Sequence, residues 1–137
     1  MNKLSSYAEK KGIQLAIEYE PNLLIENSKD VSQFINNDYH NVGLNLDTCH
    51  AVVLGESLPN LIQDFGRKIL HIHISDCKNH QHFHLIPGLG DINFVEMYNA
   101  LKKIKYDGFL TGELYTYAEE PDKAATDSLN YLEKLMN

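Results

Sequence analysis

The chain has 137 residues, 43% apolar and 23% charged, about one domain of ordinary globular composition, which excludes a disordered or low-complexity reading. Lys and Arg total 12 against 19 Asp and Glu, and the resulting charge of −7 repels phosphate backbones and anionic membrane surfaces. No run of about 18 apolar residues is present to span a bilayer, and no apolar segment follows Lys3 as a secretory signal requires. Cys49 and Cys77 form no CxxC pair and read as reduced thiols of a cytoplasmic protein.

Leu4, Tyr7 and Ala8 have helical spacing, and Gly12 behind them suits the left-handed residue that ends a helix. Ile13 to Ile17 reads as a short buried strand that stops near Pro21. Ser28 is placed to cap a helix carrying Val31, Phe34 and Ile35 on one face. A second strand spans Val42 to Leu46, followed by a helix from Pro59 to Phe65 with the proline in its first turn. The third strand is Ile69 to Ile74, and the His-, Pro- and Gly-rich stretch after it reads as a long loop to Gly90.

Asn93 with Glu96 three residues on resembles a capping box, and Phe94, Met97, Tyr98, Leu101 and Ile104 keep helical period behind it. Gly108 precedes a fourth strand, Phe109 to Gly112, and Pro121 opens a last helix with Ala125, Ser128, Leu129, Leu132 and Met136 along one stripe. The order α-βα-βα-βα-βα, with no linker, predicts one α/β domain over 1–137 with parallel strands and crossover helices. The strands read as apolar on both faces, as buried parallel strands do. Four βα units are half of a (β/α)₈ barrel of about 250 residues, and an open half has two bare strand edges.

In such folds the reactive groups lie just past the carboxyl ends of the strands. Here the first strand ends at Glu18, the second at Asp47 and the fourth at Glu113, while the third carries His73. An acid after one strand is ordinarily a helix cap or a solvated carboxylate. Four such groups in succession at the same topological position form a mixed oxygen and nitrogen set, suited to Mn²⁺, Zn²⁺, Co²⁺, Mg²⁺ or Fe²⁺. By the two-residue period Glu20 shares a face with Glu18, so either can point inward; Glu18 directly follows the apolar run. His71 likewise shares a face with His73 and reads as a core or supporting histidine. Five of the seven histidines fall between His71 and His84, and His50, His82 and His84 are candidates for a second metal or a substrate oxygen. Gly88-Leu89-Gly90 lacks the strand-turn-helix context of a phosphate loop.

Val42-Gly43-Leu44-Asn45-Leu46-Asp47-Thr48-Cys49-His50-Ala51 resembles the sixth-strand motif of the xylose isomerase-like barrel superfamily, which includes sugar isomerases and epimerases and endonuclease IV. His71-Ile72-His73-Ile74-Ser75-Asp76 is similar to its seventh strand, and His82-Phe83-His84-Leu85 through Pro87-Gly88-Leu89-Gly90-Asp91-Ile92-Asn93-Phe94 to the loop and helix start after it. Tyr106-Asp107-Gly108-Phe109 through Glu113 resembles the eighth strand, and Ala16-Ile17-Glu18-Tyr19-Glu20-Pro21 the fifth. The resemblance covers nearly the whole chain and corresponds to strands five to eight of the barrel.

The resemblance implies that Glu18, Asp47, His73 and Glu113 are divalent-metal ligands, that Glu18 and Glu113 also move protons, and that His50 contacts substrate. His84 is expected to bind substrate as well, with Lys78, which stands near where the family carries an Arg after His73. In endonuclease IV the positions matching His50 and His84 help hold an additional zinc, but the position matching His82 is an Asp there; Leu89 here also replaces a common Glu. Three readings follow. The first is a metal-dependent isomerase or epimerase of a small sugar, sugar phosphate or hydroxy-keto acid, working through an enediolate. The second is a zinc phosphodiesterase acting on abasic DNA, which the acidic charge disfavours. The third is an inactive fragment, or a half-barrel whose edges are covered by a homo-oligomer or by a separate N-terminal half.

Overall fold

The computed structural model describes residues 1–35 and 39–136. Strands β1 (Leu15–Ile17), β2 (Val42–Asp47), β3 (Ile69–Ile74) and, after a hairpin of β4 (Asp76–Lys78) and β5 (Gln81–Leu85), β6 (Leu110–Gly112) account for the sheets. β1, β2, β3 and β6 lie side by side in that order, and each neighbouring pair is parallel. Helices α1 (Asn2–Glu9), α2 (Ser28–Ile35), α3 (Thr48–Val53), α4 (Leu58–Phe65), α5 (Phe94–Ile104) and α6 (Pro121–Met136) alternate with them. This is the α/β arrangement of parallel βα units expected from the sequence, and it matches half of an eight-stranded barrel. No helix among the described residues is long and apolar enough to cross a membrane.

The core lies between the sheet and the helices. Leu44, Leu46, Ile72 and Ile74 are fully buried and belong to one apolar cluster with Val31 and Ile35 of α2, Leu61 and Ile62 of α4, and Phe94, Met97 and Leu101 of α5. Burial of that area is the main favourable term in the fold. The other side of the sheet differs from expectation. It carries Glu18, Asn45, Asp47, His71 and His73, and its Ala16 and Thr111 are exposed, so only β2 is buried along its whole length. A register shift between Leu44 and Asn45 leaves Leu70 as an extra residue in β3, and beyond it Asp47 stands opposite His73. Gly43 has no side chain to spare there: a Cβ would collide with the Lys68 carbonyl and the Leu70 side chain.

Several local signals hold. Gly12 has φ +66° behind α1, Pro59 lies in the first turn of α4, and the Asn93 side chain accepts the Glu96 N–H at 3.2 Å to cap α5. Others are corrected. The cap of α2 is Asn27, whose Oδ1 accepts the Asp30 N–H at 3.1 Å; Ser28 instead donates its hydroxyl to Glu56 at 2.6 Å. Phe34 is largely exposed, and on α6 the buried positions are Ala124 and Ser128, while Ala125, Leu129 and Met136 face solvent. The stretch read as a long loop contains the β4–β5 hairpin, and α3 was unanticipated because Asp47, read as the end of a strand, also caps it by accepting the His50 N–H at 2.7 Å.

Candidate metal centre

The parallel register brings four strand ends to one rim. Glu18 follows β1, Asp47 ends β2, His73 lies one residue from the end of β3, and Glu113 follows β6, tied to β3 by a backbone bond from its N–H to the Ile74 carbonyl at 3.0 Å. One ligand atom from each falls within 4.8 Å of all the others. His73 Nδ1 is 2.9 Å from Glu18 Oε1 and 2.8 Å from Glu113 Oε2, so carboxylates from the two outer strands converge on one ring nitrogen. Glu18 Oε1 forms a hydrogen bond with that nitrogen; Glu113 Oε2 makes the close approach without one, and is buried with no partner.

The fit to a cation rests on that unmet demand. Asp47 Oδ2 is also buried without a partner, and burial raises the Asp47 carboxyl well above its usual range, opposed by the His50 N–H and reinforced by Glu113. Three carboxylates and one imidazole, two of the carboxylate oxygens orphaned, are a donor set for a hard or borderline divalent cation. Glu18, Asp47, His73 and Glu113 therefore come together as the sequence predicts, and Glu18 rather than Glu20 is the β1 member. His71 stands beside His73, ring centroids 5.3 Å apart, and burial followed by the charge of His73 lowers its pKa.

A histidine group flanks this centre. His50 Nδ1 is 2.8 Å from the Tyr19 carbonyl, which fixes the ring, and its centroid lies 4.7 Å from that of His82 and 5.3 Å from that of His84. His84 Nε2 and His82 Nε2 are 2.7 Å apart, while His84 Nδ1 meets the Ser75 hydroxyl at 3.0 Å. Glu20 joins His50 and His82, Asp47 joins His50 and His84, and Cys49 joins His82 and His84, each set within 4.8 Å. Burial lowers His84 to a pKa of about 4 and also lowers His82, so both rings are neutral at neutral pH and available as ligands or acceptors. Cys49 and Cys77 are free and buried, and the Cys77 thiol beside Cys49 lowers the pKa of Cys49.

The histidine-bearing hairpin is fastened by Asp76, a residue with no assigned role in the sequence reading. Its carboxylate is fully buried and accepts four backbone N–H groups: Cys77 at 2.9 Å and Ile92 at 3.0 Å on Oδ1, Gly88 and Gly90 each at 2.9 Å on Oδ2. Gly90 is required there, because a Cβ would meet the Cys77 carbonyl and the Asp76 carboxylate. Tyr115, also unanticipated, lies with its ring centroid 4.8 Å from that of His84. Lys78 is exposed on β4 opposite Gln81, and no polar contact among the described residues links its side chain to either group. A 450 Å³ cavity among Gln14, Arg67, Ile69, Lys105 and Tyr106 lies at the opposite ends of the strands and does not coincide with these residues.

Comparison with known proteins agrees with this fold. An uncharacterized protein of Methanocaldococcus jannaschii is 31% identical over 125 residues, covering 82% of this chain and 41% of its own. Fructoselysine 3-epimerase of Escherichia coli O157:H7 is 29% identical, over 99% of this chain and 51% of its own. The crystal structure of the IOLI protein with a bound zinc atom is similar at 26% identity and a TM-score of 0.83, over 97% of this chain and 52% of that one. The chain thus spans about half the length of the curated relatives it matches. The profile of the xylose isomerase-like TIM barrel matches residues 1–135, and the chain belongs to that family.

Proposed function

We propose that this chain provides the metal-binding rim of a divalent-metal-dependent isomerase or epimerase acting on a small sugar, sugar phosphate or hydroxy-keto acid. The observation that carries the reading is the convergence of Glu18 and Glu113, from opposite edges of the sheet, on His73 Nδ1 beside the buried Asp47. A divalent cation held by these four would supply a Lewis acid for a carbonyl oxygen and its neighbouring hydroxyl. Glu18 and Glu113 flank the position from two sides. One takes the proton from the carbon beside the carbonyl, through an enediolate of the substrate, and the other returns it. His50, fixed by the Tyr19 carbonyl, and His84, held neutral by burial, bind substrate oxygens, and Lys78, exposed on the hairpin, is a further substrate-binding candidate. Relatives that include an inosose isomerase of Bacillus subtilis and fructoselysine 3-epimerases support the substrate class.

The test is Glu113→Gln in a protein shown to exchange a ketose C–H for deuterium from solvent. Retained metal with exchange lost supports the proton-transfer role; full exchange in the variant sinks it.

The adjoining sets on His50, His82 and His84 favour a second reading, a multinuclear zinc phosphodiesterase on abasic DNA. Nicking of abasic duplex at moderate salt would establish it; the −7 charge weighs against it. Both readings need the outer edges of β1 and β6 covered, by a second copy or by an N-terminal half-barrel. A folded, monodisperse monomer in light scattering would remove the requirement for pairing.

A further inference from the structure

The four rim residues are not held alike. Asp47 and His73 stand on β2 and β3, each paired on both sides, whereas Glu18 and Glu113 follow the edge strands β1 and β6. Glu113 is tied back to β3 by its own backbone bond to Ile74. β1 has only three residues, its pairing stops at Ile17 opposite Leu44, and Glu18 lies one residue beyond. A carboxylate past the end of a short edge strand keeps a ligand's geometry only if something else fixes it.

The fixing falls on the next residue. Tyr19 is 1% exposed and fastened at both ends: its hydroxyl donates to Glu56 Oε2 at 2.7 Å, and its carbonyl accepts from His50 Nδ1 at 2.8 Å. The other oxygen of Glu56 accepts the Ser28 hydroxyl at 2.6 Å and the Ser28 N–H at 3.2 Å. Glu56 lies just beyond α3, its own N–H on the Ala51 carbonyl at 2.9 Å, and Ser28 opens α2. One carboxylate therefore joins the end of α3, the start of α2 and the neighbour of Glu18. Hydrogen bonds to a carboxylate are among the stronger ones, and three donors converge here.

We infer that Glu56 is a positioning residue of the metal centre: by gripping Tyr19 it holds Glu18 where that carboxylate meets His73. The inference rests on the metal reading above. It adds a residue whose polar contacts are with Tyr19 and Ser28 and with none of the four ligands.

The test is calorimetric titration of Co²⁺ into the wild-type chain and into Glu56→Ala, Tyr19→Phe, Glu56→Gln and Ile62→Val, at a temperature where metal-free melts show each one folded. Tyr19→Phe removes the grip and keeps the buried ring; it decides the matter if Glu56→Ala does not fold. Both should bind Co²⁺ about tenfold more weakly, the lower end of what the partners of metal ligands contribute. Glu56→Gln retains an oxygen for Ser28 and offers an amide N–H that the Tyr19 hydroxyl can accept, so it should keep the wild-type affinity. Ile62→Val trims the buried core on α4, lowering the melt without changing the affinity, and so separates placement from stability. Wild-type affinity in Tyr19→Phe, or an equal loss in Ile62→Val, overturns the inference while leaving the metal centre intact. A loss in Glu56→Gln as large as in Glu56→Ala assigns the effect to charge and overturns it too. A wild-type chain that takes up no Co²⁺ defeats the metal reading itself, and this inference with it.

Discussion

Two groups share the rim of this sheet and are held there by different means. Glu18, Asp47, His73 and Glu113 are carried by the parallel strands, whose register sets Asp47 opposite His73 and ties Glu113 to Ile74. His82 and His84 are carried by a hairpin outside that sheet, and His84 itself has φ +45°, a conformation that only a fixed surrounding holds. The carboxylate group therefore depends on the fold as a whole. The hairpin histidines depend most on one buried carboxylate, Asp76, which takes four backbone N–H groups and joins the hairpin to the loop before α5. The two should come apart under different substitutions.

The largest separation is expected from Asp76→Ala. It leaves four backbone N–H groups without their acceptor and should cost about 3 kcal/mol or more, a sizeable share of the roughly 5–15 kcal/mol typical of whole domains. Hydrogen exchange should quicken across 76–92, with the β2 and β3 amides less affected. Uniform loss of protection would mean that the hairpin and the sheet are one cooperative unit. Gly90→Ala attacks the same joint through its Cβ and should lower the unfolding free energy from urea titration by a smaller amount, about 1–3 kcal/mol. A Gly90→Ala protein as stable as wild type would contradict the close packing of that loop.

A third difference lies in pH. The buried His84 has a folded pKa of about 4 against an ordinary 6.5, so the unfolded chain takes up a proton that the folded one refuses between those values. Its contribution to stability is complete above about pH 6.5 and is lost as pH falls toward about 4. His82, lowered by burial and then by His50, acts in the same direction. Asp47 acts oppositely: raised by burial, it favours the protonated folded state, and that contribution is lost as pH rises through its folded pKa. Relative to His84→Ala, wild type should lose stability from pH 7 to pH 5 in urea titrations; parallel profiles would contradict the burial of a neutral ring. The smallest effect is expected at Leu129, 56% exposed on α6, where alanine should change stability by no more than about 0.5 kcal/mol in a denaturant titration.

The sheet-borne group was legible in the sequence because each member follows a short apolar run at the same topological position. β3 is recovered with its bounds, and Asn93 caps α5 as its spacing suggests. The choice between Glu18 and Glu20 was not legible, since a two-residue period places both on one face; β1 ends at Ile17, and the chain beyond it carries Glu20 toward His50 and His82. The hairpin was hidden because its turn, Asn79 and His80 at φ +52° and +55°, adopts the left-handed pair of a tight hairpin without the glycine that usually marks it. The exposed positions of the α6 stripe, Ala125, Leu129 and Met136, follow from the same limit: helical period names a face, and packing against α5 decides which side of it is buried.

The most direct test of the central claim is the metal content of the purified chain by inductively coupled plasma mass spectrometry, beside an Asp47→Ala, His73→Ala double variant. Near-stoichiometric Mn, Zn, Co or Fe in the wild type, lost in the variant, is the predicted result. Equal metal in both, or none in the wild type after reconstitution, would contradict a metal centre built from these four strand ends.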